Sequence, residues 1–136
     1  MNPPPRWMKL TLAAAAAYNL AWGGLVVAAP QMTLRWIGMD GATEAFWQCI
    51  GMIVGVYGIG YAVAAFDPLR HWPIVLVGLL GKVFGPIGFA QGLIAGDLPS
   101  AMAWTILTND LVWWVPFAAI LRRAWRRRPN PSAAAA

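Results

Sequence analysis

Near-continuous apolar runs occupy about residues 8–29, 45–66, 72–95 and 99–121, and polar residues collect in the gaps between them. Each run is at least as long as the roughly 20 residues that cross about 30 Å of hydrocarbon at 1.5 Å rise per residue. Backbone groups in hydrocarbon must be satisfied within their own segment, so these runs are helices and not strands. The gaps D-P-L-R-H and G-D-L-P-S are brief, and short loops force antiparallel neighbours. The pattern predicts an all-α integral membrane protein, a four-helix up-down-up-down bundle. The longest connection, A-P-Q-M-T-L-R-W-I-G-M-D-G-A-T-E, predicts a short helix lying along the membrane interface, with Met32, Trp36, Ile37 and Met39 on its apolar side. Residues 1–7 form a leader made extended by Pro3, Pro4 and Pro5. Residues 8–128 form one transmembrane domain, and P-N-P-S-A-A-A-A at 129–136 reads as a disordered tail.

Composition supports lipid as the solvent. Of 136 residues, 60% are hydrophobic and 11% charged, against about 25% charged in soluble domains. A soluble domain of this length has too little interior to hide so much apolar surface. Arg6 and Lys9 ahead of an Ala-rich run resemble the start of a signal peptide. The first run, however, exceeds the 7–15 residues of an h-region, and Tyr18, Asn19 and Trp22 suit a packed span. It is read as a retained helix.

The net charge is +5, and the basic residues are unevenly spread. One side of the membrane receives Arg6, Lys9, Arg70, Arg122, Arg123, Arg126, Arg127 and Arg128; the other receives Arg35 beside Asp40, Glu44 and Asp97. The positive-inside rule places both termini of this multi-pass protein in the cytoplasm. The Arg-rich end then needs no partner beyond anionic headgroups, and so short a tail offers no folded nucleic-acid surface. Trp7, Trp72 and Trp125 mark the inner headgroup level, Trp36 and Trp47 the outer one. Cys49 is the single cysteine, which excludes an intrachain disulfide, and with His71 alone beside it no metal site is expected.

Glycine predicts how the helices pack. Gly78, Gly81, Gly85, Gly88 and Gly92 recur at spacings of 3 and 4 on the third run, and Gly51, Gly55 and Gly58 lie on the second. Small residues let backbones approach in lipid, so the second and third helices are expected to pair tightly, or to meet a second copy of the chain or a larger membrane complex through the same faces. Pro86 is expected to bend the third helix just beyond Lys82.

Lys82 is the outlier, since a lysine near the bilayer centre costs roughly 2.5–3.5 kcal/mol on insertion scales. Reflecting residue numbers through the loops puts Asn19, Tyr57, Lys82, Asn109 and Asp110 at one depth, with Tyr61 a turn away and Gln48 level with Gln91. Lys82 is expected to face Asp110, hydrogen-bonded by Asn19, Asn109 and Tyr57. The layer either fixes which helix packs on which or lines a ligand-binding or proton-handling cavity. Trp22, Trp113, Trp114 and Phe117 suggest an aromatic wall, suited to a flat amphipathic molecule such as a quinone head or small isoprenoid.

The residues N-L-A-W-G-G-L-V-V-A-A-P at 19–30, the R-W-I-G-M that follows, and G-M-I-V-G-V-Y-G-I-G-Y-A-V-A-A-F-D-P at 51–68 resemble the DoxX-like group of small bacterial four-helix membrane proteins. That resemblance implies a multi-pass protein of the bacterial inner membrane, in a group of which some members are linked to quinone-coupled membrane oxidoreductases, and it carries over no catalytic residue. The first functional expectation is therefore a protein that binds a quinone-like or lipid-like molecule, or an accessory subunit of a membrane redox complex. The alternative is a dimeric proton-coupled small-molecule transporter. Enzymatic use of Lys82 as a Schiff-base lysine with Asp110 as counterion is chemically coherent, but rests on one buried lysine.

Overall fold

The structure, a computed structural model, describes residues 3–127; Arg128 and the tail assigned to 129–136 lie outside the described residues. Among the described residues, four helices are long and apolar enough to cross a membrane. They are α1 (Arg6–Ala28), α3 (Glu44–Phe66), α4 (Trp72–Ala95) and a composite span, Ser100–Arg126. The composite span runs through a 3-10 turn (Ser100–Met102), α5 (Ala103–Ile106), a π-helical turn (Leu107–Leu111) and α6 (Val112–Arg126). No strand occurs among the described residues. Large apolar side chains such as Phe66, Ile94 and Val115 point outward, while Asn19, Lys82 and Asp110 are buried. That inversion belongs to a protein dissolved in lipid, and the spanning helices place the chain in a bilayer as a multi-pass bundle.

The boundaries have local causes. Pro5 precedes α1, so the helix begins two residues earlier than the leader predicted above. Pro30 ends α1 and opens the short helix α2 (Pro30–Trp36), because its missing N–H is tolerated at a first helical position and not inside a helix. Gly96, at φ 81°, closes α4 by turning its N–H back onto the carbonyls of Gly92 and Leu93.

The predicted short helix is present as α2, and its predicted apolar side is divided between the interior and the surface. Thr33, Leu34 and Ile37 are buried and Trp36 is exposed. Trp47, expected at the headgroup level, is also buried, its indole N–H donating to Thr33 Oγ1 at 2.8 Å. A buried indole needs such a partner, and the Thr33 hydroxyl proton is already directed at the carbonyls of Ala29 and Pro30. Gln48 does not meet Gln91; its Nε2 donates to the Val27 carbonyl at 2.9 Å. That carbonyl is one of the orphans at the C-terminus of α1, a stronger attraction than a distant amide.

Two apolar clusters bracket the bundle. At the end that holds the start of α1 and the close of α6, Met8, Leu12 and Ala15 of α1 pack with Tyr61, Val75, Phe117 and Ile120. At the other end Val26, Leu34, Ile37 and Trp47 pack together. Between the clusters the helices divide unequally. The tight pair is α1 with α3, not α3 with α4: a methyl group placed on Gly23 would lie 2.5 Å from the Gly51 carbonyl oxygen and 2.8 Å from Gly55 N. The glycines of α3 were therefore read correctly as a close-approach face, but the backbone they admit is that of α1.

Candidate functional site

Because α1 takes the glycine face of α3, the α3–α4 side is left loose. A cavity of about 330 Å³ lies there, lined by Tyr57 and Tyr61 from α3, Gly78, Gly81 and Lys82 from α4, Asn19 from α1 and Asp110 from the π-turn, among others. Asn19, Lys82 and Asp110 are only 3%, 3% and 5% exposed. Ile50, Ile53, Gly81 and Gly85, which also line it, are exposed on the lipid-facing side of the bundle. The cavity thus opens sideways, between two helices, at mid-span.

The glycine stripe of α4 shapes this space. A methyl group on Gly78 would lie 2.5 Å from the Tyr61 ring and hydroxyl, and one on Gly81 would come within 3.6 Å of the Tyr57 hydroxyl. At Gly85 the near atom is Asp110 Oδ2, at 3.3 Å. The stripe receives two tyrosines and a carboxylate in place of a neighbouring backbone.

Two helix irregularities set the charged groups. Pro86 has no N–H to offer the carbonyl four residues back, which is that of Lys82. The Trp114 indole N–H takes its place, donating to the Lys82 carbonyl at 2.8 Å. In the opposite span, the π-turn sends the Val112 N–H to the Leu107 carbonyl, five residues back, and so loosens the ordinary ladder. The Thr108 carbonyl there accepts the Trp113 indole N–H at 3.0 Å, and the Asn109 carbonyl accepts the Lys82 ammonium. Each span supplies a donor to a carbonyl that the other span's irregularity exposes.

This arrangement changes the expected Lys82–Asp110 contact. Both residues sit in the cavity, yet among the described residues the ammonium and the carboxylate do not approach within 4.0 Å. Lys82 is held instead by the Asn109 carbonyl and lies over the rings of Tyr61, at 5.6 Å, and Trp113, at 5.9 Å, both favourable for a desolvated cation. Asp110 Oδ1 accepts from Asn109 Nδ2 at 3.0 Å. Asn19 Nδ2 donates to the Val54 carbonyl at 3.3 Å.

The predicted aromatic wall is redistributed. Tyr57 and Tyr61 line the cavity, whereas Trp113, Trp114 and Phe117 do not. Trp113 and Phe117 pack behind Tyr61 and Lys82, with Tyr61 edge-on to Phe117 at 5.1 Å. Trp22 stands edge-on to Trp104 at 5.3 Å and lines a second cavity of about 190 Å³. The two cavities share Asn109 and Asp110. Tyr18 and Thr108 were missed. The Thr108 hydroxyl donates to the Trp104 carbonyl, so Tyr18 donates to Thr108 across 2.7 Å. Their signal was available, as polar groups within two turns of Asp110 on paired spans. Among the described residues no group of three or more His, Cys, Asp or Glu could hold a metal.

No family model and no solved structure matches the chain. Over 83 residues it is 29% identical to a protein of Cupriavidus pinatubonensis named Disulfide bond formation protein B, and 28% identical to the protein of that name from Cupriavidus necator. The match covers 52% of this chain and 50% of each relative, so the chain spans about half the length of the curated relatives it matches.

Proposed function

We propose that this multi-pass membrane protein binds a small lipid-soluble molecule, quinone-like or otherwise lipid-like, in the cavity between α3 and α4, and serves a membrane redox system as a binding or accessory component. One observation carries the reading: buried Lys82, Asp110 and Asn19 line a mid-span cavity of about 330 Å³ that opens sideways past Ile50, Ile53, Gly81 and Gly85. Intramembrane ionisable groups around a cavity are costly, and they mark ligand or proton sites by default. An opening toward the hydrocarbon suits an amphipathic molecule that travels in the bilayer. The similarity to proteins named for disulfide bond formation, and the DoxX-like residues at 19–30 and 51–68, support a redox setting. Thiol exchange within this chain finds no support, because Cys49 is the only cysteine of its 136 residues.

The test is extraction. Protein purified from native membranes releases about one organic-soluble molecule per chain, and Gly85→Leu, whose side chain fills the space before Asp110, loses it. Equal recovery from both proteins places the molecule elsewhere. The inner-membrane orientation is checked with Cys49→Ser carrying Ala42→Cys or Asn130→Cys: only residue 42 labels from outside intact cells.

A second reading, proton-coupled transport by a dimer, is favoured by the way the two cavities meet at Asp110. A dimer would have to use surfaces other than Gly23, Gly51 and Gly58, which are filled within the chain.

A further inference from the structure

We infer that the cleft between the start of α1 and the close of α6 holds the headgroup of an anionic lipid that carries two phosphates. The cleft shares no lining residue with the mid-span cavity, so this holds whatever that cavity binds.

The cleft has a volume of about 580 Å³ and is lined by Trp7, Ala119, Arg122, Arg123, Arg126 and Arg127. Two helices build it. Met8 of α1 and Ile120 of α6 belong to one buried cluster, so Trp7, one residue earlier, and the last turns of α6 flank the same seam. From Ala119 onward the lining positions recur at i, i+3, i+4, i+7 and i+8, within about 140° of one helix face. Ala119, one turn nearer mid-span, puts only a methyl group into the floor. Within the face, Arg122 with Arg126 and Arg123 with Arg127 form two i, i+4 rows. Side chains so spaced are neighbours, with Cβ atoms about 5–6 Å apart. A guanidinium fork meets phosphate oxygens through paired N–H donors, and its five donors leave room for a further contact. Each row can therefore clamp one phosphate, and two adjacent rows suit two phosphates on a short linker.

The protein supplies little negative charge here. Of the five acidic residues, Asp67 alone lies at this end of the bundle, and its Oδ1 already accepts the Arg70 backbone N–H at 3.2 Å. Among the described residues no carboxylate comes within 4.0 Å of Arg122, Arg123 or Arg126. The end of α6 offers about half a negative charge, which leaves most of the charge on those three arginines unmatched. A general preference for basic residues on one side of a membrane accounts for their number. It does not gather them around one cleft. Depth points to a lipid as the source of the anion. Trp7, 40% exposed, shares this end with Trp72 and Trp125, which meet edge to face at 6.1 Å. Indoles collect where hydrocarbon meets headgroups, so the arginines stand at the level of lipid phosphates. Basic pockets between membrane helices take anionic headgroups on the same grounds.

The experiment counts lipid bound to the full chain in neutral detergent by native mass spectrometry. Tetraoleoyl cardiolipin, with two phosphates, is compared with dioleoyl phosphatidylglycerol, with one, at equal phosphate concentration. Cardiolipin is expected to bind at least about tenfold tighter, because linking two binding groups raises the effective concentration of the second. Replacing Arg122→Gln and Arg126→Gln together should lower cardiolipin affinity about tenfold or more by removing one clamp. Lys9→Gln with Arg70→Gln removes the same charge from the same end but outside the cleft, and should lower it about twofold. Equal losses in the two double variants would overturn the cleft in favour of a diffuse basic surface. Equal affinity for the two lipids would overturn the two-phosphate head. Inorganic pyrophosphate at the same phosphate concentration should leave cardiolipin bound; displacement would assign the cleft to a soluble phosphate and overturn the lipid. The four arginines are exposed, so their replacement leaves the core intact, and the comparison of lipids on the unaltered chain stands without any variant.

Discussion

The α1–α3 seam and the α3–α4 gap are both built from glycine, and they use it oppositely. In the seam, Gly23 meets the backbone of Gly51 and Gly55, and Gly58 meets Leu20 and Asn19, leaving no room for a methyl group. In the gap, Gly78, Gly81 and Gly85 face Tyr61, Tyr57 and Asp110. The seam excludes everything, while the gap admits polar side chains and an open volume. A stripe of small residues therefore permits close approach without choosing what approaches. Here the choice follows from the partner faces. The face of α1 carries Gly23 among small and branched residues, whereas the faces meeting α4 carry bulky polar groups that stand off the backbone.

The seam breaks most severely. Gly23→Ala would place a carbon against two backbone groups that cannot rotate away, and it should cost about 3 kcal/mol or more; Gly23→Leu should not fold. Thermal unfolding in detergent measures both. Retention of wild-type stability by Gly23→Ala would show that α1 and α3 are not in contact there.

Next comes the polar layer. Lys82→Met and Asp110→Leu should each cost about 2–3 kcal/mol, somewhat below the 3–5 kcal/mol of a broken direct ion pair, because Lys82 is bonded to the Asn109 carbonyl and not to the carboxylate. Each single change strands the opposite charge, so the double replacement should cost less than the sum. Additive losses on a double-mutant cycle would mean that the two groups do not sense one another.

That layer shows how far the chain could be read before folding. The four spans, the short α2 and the common depth of Asn19, Tyr57, Lys82 and Asp110 follow from run lengths and loop reflection, because rise per residue is fixed. The π-turn at Leu107–Leu111 has no comparable signature. A single extra residue in one turn shifts which carbonyl faces Lys82 and leaves depth almost unchanged. The partners of Trp47 and Gln48 were missed for a related reason. Each bonds a group in or just before α2, Thr33 and the Val27 carbonyl, and composition alone does not place that short helix against α3.

A smaller effect separates the two irregularities. Trp114→Phe leaves the Lys82 carbonyl without its donor and should cost about 1–2 kcal/mol. In a Pro86→Ala background, where the restored N–H can reach that carbonyl, the same change should cost close to nothing. An unchanged cost in both backgrounds would separate the indole from the proline. The smallest effect carries the opposite sign. Gly88 belongs to the α4 stripe but has nothing within 4 Å of an added methyl, so Gly88→Ala should stabilise the helix by about 0.5 kcal/mol. Destabilisation there would point to a partner chain on that face.

The proposed binding function requires the α3–α4 gap to be an occupied site and not loose packing. The most direct measurement is density for the wild-type protein in a lipid nanodisc, examined between Tyr57 and Gly81. Non-protein density is expected against Gly81 and Gly85, larger than a water, within hydrogen-bonding distance of Asp110 Oδ2 and continuing outward past Ile53. A gap closed by α3 resting on α4, or one holding only separate waters, would contradict it.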